Sequence, residues 1–128
     1  MKNCPVEKIR NFAVTGHAAA GKTTLCDLML FKAKAVGRLG SVDQKTSVSD
    51  FRAEEQERKH SLYSAPLNCA WNGCHFFFTD APGAPDFCGE ATAAQAVADL
   101  ALLVVDATAG IGPSTLRAWK QAKAAGQP

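Results

Sequence analysis

The chain lacks any long apolar run. Its longest strictly apolar stretch, Leu100 to Val105, is six residues, whereas a membrane-spanning helix needs about 20. No membrane partner is expected. It also lacks a dominant charge: 14 basic and 12 acidic residues leave +2, too little to argue for nucleic acid or membrane from charge alone. Met1 to Arg10 is mixed and charged, without the apolar centre of a secretory signal. The five cysteines, at positions 4, 26, 69, 74 and 88, are odd in number. Without a leader they read as reduced thiols in a cytoplasm. Cys69 and Cys74 are placed to face one another across a hairpin, and His75 is adjacent. No second Cys/His pair at zinc-finger spacing follows, so structural thiols are expected rather than a zinc site. Internal repeats and low-complexity stretches are absent too. What remains is 128 residues with 47% hydrophobic and 20% charged content, enough for one modest domain with its own core.

The strongest positive feature is Gly16-His17-Ala18-Ala19-Ala20-Gly21-Lys22-Thr23, which fits G-x-x-x-x-G-K-[ST]. In such a loop backbone N–H groups cradle phosphates, the lysine reaches the β/γ-phosphates and the Thr hydroxyl ligates Mg²⁺. The glycines let the backbone come within bonding distance of phosphate. Context agrees. Ile9 to Thr15 reads as a strand. Leu25, Leu28, Met29 and Val36 recur at helical spacing afterwards, with Gly37 as a natural stop. The helix N-terminus then points at the anion.

Residues 37–60 form a long polar connection, a length that signals function or mobility. The run Glu54-Glu55-Gln56-Glu57-Arg58-Lys59-His60 reads as a solvated helix face. Ser61 to Trp71 and Gly73 to Thr79 read as a hairpin turned at Asn72-Gly73. The Phe76-Phe77-Phe78 run is apolar enough for a central strand covered on both faces. It leads into Asp80, a Walker B pattern whose carboxylate holds Mg²⁺ directly or through water. Asp80-Ala81-Pro82-Gly83 also fits D-x-x-G, where in GTP switches the Gly N–H bonds the γ-phosphate. Ala91 to Asp99 reads as a small-residue helix, Leu100 to Val105 as a buried strand and Pro113 to Ala125 as a helix. Pro113 suits its first position, Gly126 its stop, and Leu116, Trp119 and Ala122 its buried stripe. Trp119 reads as a core residue.

Across nearly the whole chain these motifs resemble the translational GTPases, most closely elongation factor G and its G-like paralogues. The matching stretches are Gly16-His17 through Gly21-Lys22-Thr23-Thr24-Leu25, then Gly37 to Val42, Val48-Ser49-Asp50-Phe51, and Glu54, Glu55, Arg58 and Ser61. Asp80-Ala81-Pro82-Gly83 with Asp86-Phe87, and Ala101 to Gly110 followed by Trp119, complete them. The resemblance implies an α/β P-loop NTPase fold of the Ras-like G-domain type. That fold is a three-layer α/β/α arrangement on a mostly parallel sheet, here incomplete with about four of six strands. Residues 1–128 would be the N-terminal portion of a GTP-binding domain, with switch I at about 37–61 and switch II at about 80–90. GTP or GDP would be held by Gly16, His17, Ala18, Ala19, Ala20, Gly21, Lys22, Thr23, Thr24, Asp80 and Gly83, and Mg²⁺ by Thr23, Ser61 and Asp80. The implied partner besides guanine nucleotide is the ribosome, engaged through further domains. No direct nucleic-acid site is evident.

Three departures accompany the match. Elongation factor G has a histidine after D-T-P-G that helps place the attacking water; here the position is Ala84. It has Asp in the loop where this chain has Ala19. The N-K-x-D box that reads guanine is not within the chain, so guanine preference rests on the resemblance. GTP hydrolysis, a non-hydrolysing nucleotide switch and an inactive fragment stay open as alternatives, and no residue is assigned to position water.

Overall fold

The computed structural model describes residues 4–58 and 60–128. Met1 to Asn3 of the amino-terminal segment and Lys59 of the charge run lie outside the described residues. Strand β1 (Ile9–Gly16) leads through the phosphate loop into helix α1 (Lys22–Lys32); α2 (Ala53–Arg58), β2 (Ala65–Trp71), β3 (Cys74–Asp80), α3 (Cys88–Ala96), β4 (Leu100–Val104) and α4 (Pro113–Ala125) follow. The sheet order is β2-β3-β1-β4. β1 runs parallel to both β3 and β4, and only the β2–β3 hairpin is antiparallel. This is the expected mostly parallel four-stranded sheet of an incomplete P-loop fold.

The hairpin turns at Asn72 (φ 47°) and Gly73 (φ 76°), the two positive φ values that a tight two-residue turn matching strand twist requires. Cys69 is paired with Phe76 and Cys74 with Trp71, so the two thiols do not face one another; all five cysteines are free.

Alternate residues of β1 face opposite ways, and helices cover both faces. On one face Val14 packs with Cys26 and Leu30 of α1 and with Leu67, Cys69 and Phe78 of the hairpin. Phe12 stacks on Phe78 with centroids 5.3 Å apart. On the other, buried Ala94 and Gln95 of α3 meet Ala118 and Ala122 of α4, and the Gln95 amide donates to the Ala118 carbonyl at 3.0 Å. β3 is an inner strand as expected, but only Phe78 (2% exposed) of its three phenylalanines is fully covered. β4 (Leu100–Val104), expected as a buried strand over Leu100 to Val105, is instead the sheet's other edge and has no buried residue, because nothing among the described strands pairs with its outer side. Its Ala101 N–H donates to the Pro128 carbonyl at 3.1 Å, and Gln127 is tied to the Gln95 and Ala98 carbonyls at 2.9 and 2.6 Å.

Three local expectations are corrected. α1 ends at Lys32 rather than near Gly37. Lys34 takes φ 57°, its N–H bonds Phe31 O and that of Ala35 bonds Leu30 O at 3.0 Å each. This is a Schellman stop with lysine where glycine is usual. α3 starts at Cys88 and ends at Ala96, earlier than Ala91 to Asp99. In α4 the buried residues are Thr115, Ala118 and Ala122; Leu116 is 49% and Trp119 58% exposed. Small side chains face inward because the helix lies close against α3 and β1, which leaves no room for an indole. No helix among the described residues is long and apolar enough to cross a membrane.

Candidate functional site

β1 delivers the chain to the carboxyl edge of the parallel sheet, where open α/β folds bind ligands. Gly16 adopts φ 142°, and a Cβ there would collide with the Val104 carbonyl of β4. Ala19 (φ 60°) turns the loop in the left-handed region, and Gly21 (φ 91°) caps α1. A left-handed alanine costs roughly 1 kcal/mol. The His17 N–H donates to Thr115 Oγ1 at 3.2 Å, and the His17 ring packs on Gly112, where a Cβ would come within 2.6 Å of Cγ. The loop is thereby set against the start of α4.

Lys22, the first residue of α1, is 6% exposed, and its ammonium donates to the His17 carbonyl at 2.8 Å. Burial lowers its pKa, partly offset by the Asp80 charge. One residue on, Thr23 Oγ1 donates to Asp80 Oδ2 at 2.7 Å and lies 3.2 Å from Ser61 Oγ. Ser61 in turn donates to Asp50 Oδ1 at 2.7 Å. This chain of oxygens links α1, the end of β3, the middle of the polar connection at Asp50 and Ser61 just past its end. Asp80 is 1% exposed; among the described residues its Oδ1 makes no close hydrogen bond, the Ser49 hydroxyl acting only weakly on the carboxylate. Burial pushes its pKa up to about 6, against the Thr23 hydrogen bond and the Lys22 charge. A buried carboxylate oxygen without a close partner, beside two hydroxyls, is the hard all-oxygen donor set that suits Mg²⁺.

Gly83 lies against the phosphate loop. A Cβ there would collide with the Lys22 ammonium and sit 2.6 Å from Ala18 N, so only glycine permits this approach. A cleft of about 290 Å³ opens here, lined by Ala18, Ala19, Gly21, Lys22, Thr23 and Thr24 of the loop and α1, by Val42, Asp43, Asp50, His60 and Ser61 of the connection, and by Gly83 and Ala84. Among the residues singled out from sequence, Gly16, His17, Ala20 and Asp80 do not line it. Gly16 and His17 pack behind the loop, and Asp80 reaches it through Thr23.

Residues 7–128 match the family model of the elongation factor Tu GTP binding domain. The chain belongs to that family. This GTP binding domain is 36% identical over 128 residues to the mitochondrial ribosome-releasing factor 2 of Debaryomyces hansenii and 34% identical over 128 residues to elongation factor G 2 of Streptomyces coelicolor. Both alignments cover 100% of the chain but only 15% and 19% of those proteins. A solved Thermus thermophilus structure matches with a TM-score of 0.91 and 38% identity, over 94% of this chain and 18% of that one. A bacterial selenocysteine-specific elongation factor matches with a TM-score of 0.70 and 27% identity, over 92% of this chain and 18% of its own. The resemblance to translational GTPases read from the motifs is thus shown.

The domain also holds polar residues that motif reading missed or misplaced. Glu55, expected on a solvated face, is 2% exposed. Its carboxylate accepts the Leu62 and Tyr63 N–H groups at 3.0 and 3.2 Å. Buried Asp27 of α1 accepts the Val48 N–H at 3.1 Å and crowds Gly40, where a Cβ would come within 2.7 Å of its carboxyl carbon. Asp27 ties this segment to α1 at Val48, and Glu55 closes the segment on itself at Leu62 and Tyr63. Nothing in the local pattern distinguished Asp27 or Thr115 from ordinary helix residues.

Proposed function

We propose that this domain binds GTP and GDP together with Mg²⁺ and hydrolyses GTP, as the switch of a translation factor similar to elongation factor G. The observation that carries the reading is the 2.7 Å hydrogen bond from Thr23 to Asp80, which joins the phosphate loop to the D-x-x-G segment at a buried point. In this reading the N–H groups of residues 17–24 hold the phosphates, with Ala18 to Ala20 shaping the loop between the two glycines. Lys22 supplies positive charge at the β/γ-phosphates, and its burial strengthens that attraction. Thr23, Ser61 and Asp80 would hold Mg²⁺, which neutralises phosphate charge when bound. Gly83 approaches closely enough for its N–H to sense the γ-phosphate. Catalysis in such sites is almost entirely positioning and charge stabilisation.

Residues 37–61 and 80–90 are the proposed switches. The proposed partner is the ribosome, reached through further domains like those of the much longer relatives. The proposed compartment is the cytoplasm, where five unpaired thiols stay reduced.

Calorimetry on the protein at its natural length tests the reading. Mg·GTP and Mg·GDP should bind with micromolar or tighter affinity, ATP should not compete, and chelating Mg²⁺ should weaken binding. Equal competition by ATP would remove the guanine assignment. A second reading, a nucleotide switch that does not hydrolyse, is favoured by the methyl groups of Ala19 and Ala84 in the cleft. Ribosome-stimulated phosphate release would rule it out.

A further inference from the structure

Hydrolysis of a bound triphosphate requires a side chain or backbone group that orients water for in-line attack. The side chains around the cleft narrow the choice. Ala18, Ala19, Gly21, Val42, Gly83 and Ala84 carry no hydrogen-bonding side chain. Lys22 donates to the His17 carbonyl, and Thr23, Ser61, Asp50 and Asp80 are bonded to one another in a chain. Asp43 is a carboxylate, which the charge of a triphosphate disfavours as a close neighbour of the γ-phosphate. Thr24 is one residue further along α1 than the hydroxyl that meets Asp80.

His60 remains. It lines the cleft together with Gly83 and Ala84, and is the residue immediately before Ser61. The other two imidazoles are elsewhere. His17 packs its ring on Gly112 behind the loop, and His75 pairs with Ile9 at the opposite end of β1 from the loop. An imidazole carries one donor and one acceptor nitrogen when neutral, so it can accept a hydrogen bond from water while leaving a water lone pair aimed at phosphorus.

We propose that His60 is the water-positioning residue of this domain, reaching the nucleotide from the first switch where Ala84 of the second offers only a methyl group. The proposal rests on the GTPase reading above. In the step it serves, the water oxygen forms a bond to the γ-phosphorus, and the bond from that phosphorus to the β,γ-bridging oxygen breaks with its electron pair leaving on GDP. One water proton stays on inorganic phosphate and the other passes to solvent. His60 orients the water and undergoes no net change. Because it precedes Ser61, its position depends on the first switch being closed, which couples turnover to switch order.

The test is single-turnover GTP hydrolysis with ribosomes, alongside GTP and GDP affinity, on the protein at its natural length. His60→Ala should slow hydrolysis by about 100-fold, the lower end of what a positioned proton-bonding group contributes, with both affinities within about twofold of wild type. His60→Gln, which keeps an acceptor and donors, should recover much of the rate. Wild-type turnover in His60→Ala would overturn the proposal, as would an equal fall of rate and affinity in both variants, which marks a structural role. Tight GTP binding without hydrolysis by the wild type would overturn it while leaving the nucleotide-binding reading intact. Absence of GTP binding would bring down both.

Discussion

The Thr115 hydroxyl accepts the His17 N–H at 3.2 Å, although 98 positions of sequence separate them. The residue that follows Gly16 in the phosphate loop is therefore held by the first turn of α4, the element most distant from it in the chain. Thr115→Val removes the acceptor at nearly constant volume and leaves a part-buried N–H unpaired, a cost of about 1–2 kcal/mol. GDP dissociation should speed up about five- to tenfold, and Thr115→Ser should restore it. Unchanged release from Thr115→Val would show that the loop holds its shape alone.

Asp80 yields a pH signature. Its folded pKa of about 6 lies above the ordinary 3.8 because the carboxylate is buried. The folded state therefore binds its proton more tightly than the unfolded chain does. That contribution to stability is complete below about pH 4 and is lost as pH rises through about 6, at most about 3 kcal/mol. Asp80→Asn, in protein free of nucleotide and Mg²⁺, should be more stable than wild type at pH 7.5 and indistinguishable from it near pH 4. The same variant should lose the Mg²⁺ dependence of nucleotide affinity. Urea denaturation at the two pH values decides the first point; a wild-type advantage at pH 7.5 would contradict it.

At Gly83 the limit is space. A Cβ would lie 2.6 Å from both Ala18 N and His17 C, and backbone cannot yield as a flexible side-chain end can. Gly83→Ala should push the second switch off the loop and reduce the preference for GTP over GDP about tenfold, roughly 1.4 kcal/mol. Competition titrations with both nucleotides measure it, and a preserved ratio would refute the assignment.

Glu55 is expected to organise the end of the first switch. Glu55→Ala strands the Leu62 and Tyr63 N–H groups, at a cost of about 2 kcal/mol. Amide exchange at both positions should accelerate about 30-fold if the segment opens locally. Protection equal to wild type would mean that neighbouring contacts, such as the Arg52 guanidinium 4.0 Å above the Tyr63 ring, suffice.

Much of this molecule is legible in one dimension. Gly16 to Thr23 needs its glycines and lysine at fixed offsets because phosphate contact is made by consecutive backbone groups. Asn72-Gly73 announces its turn because few residues tolerate two successive positive φ values. Pro113 and Gly126 mark the ends of α4 for similarly local reasons. The misreadings share a different cause. In α4 both Leu116-Trp119-Ala122 and Thr115-Ala118-Ala122 have helical spacing, and hydrophobicity favoured the first. The narrow gap against α3 and β1 selected the second and left Trp119 exposed. Lys34 stops α1 in a conformation whose usual residue is glycine. Glu55, in a run of charges, is buried because Leu62 and Tyr63 fold back to meet it.

The covalent order of residues thus specifies the phosphate loop, the D-x-x-G segment and the strand-helix alternation, because each depends on backbone geometry over a few neighbouring positions. Which acids are buried, which side of α4 faces inward, and that Thr115, Asp50 and His60 gather around the loop are decided only when the sheet closes. Those relationships join residues from seven to 98 positions apart, and their energies come from desolvation and packing space that no local pattern encodes.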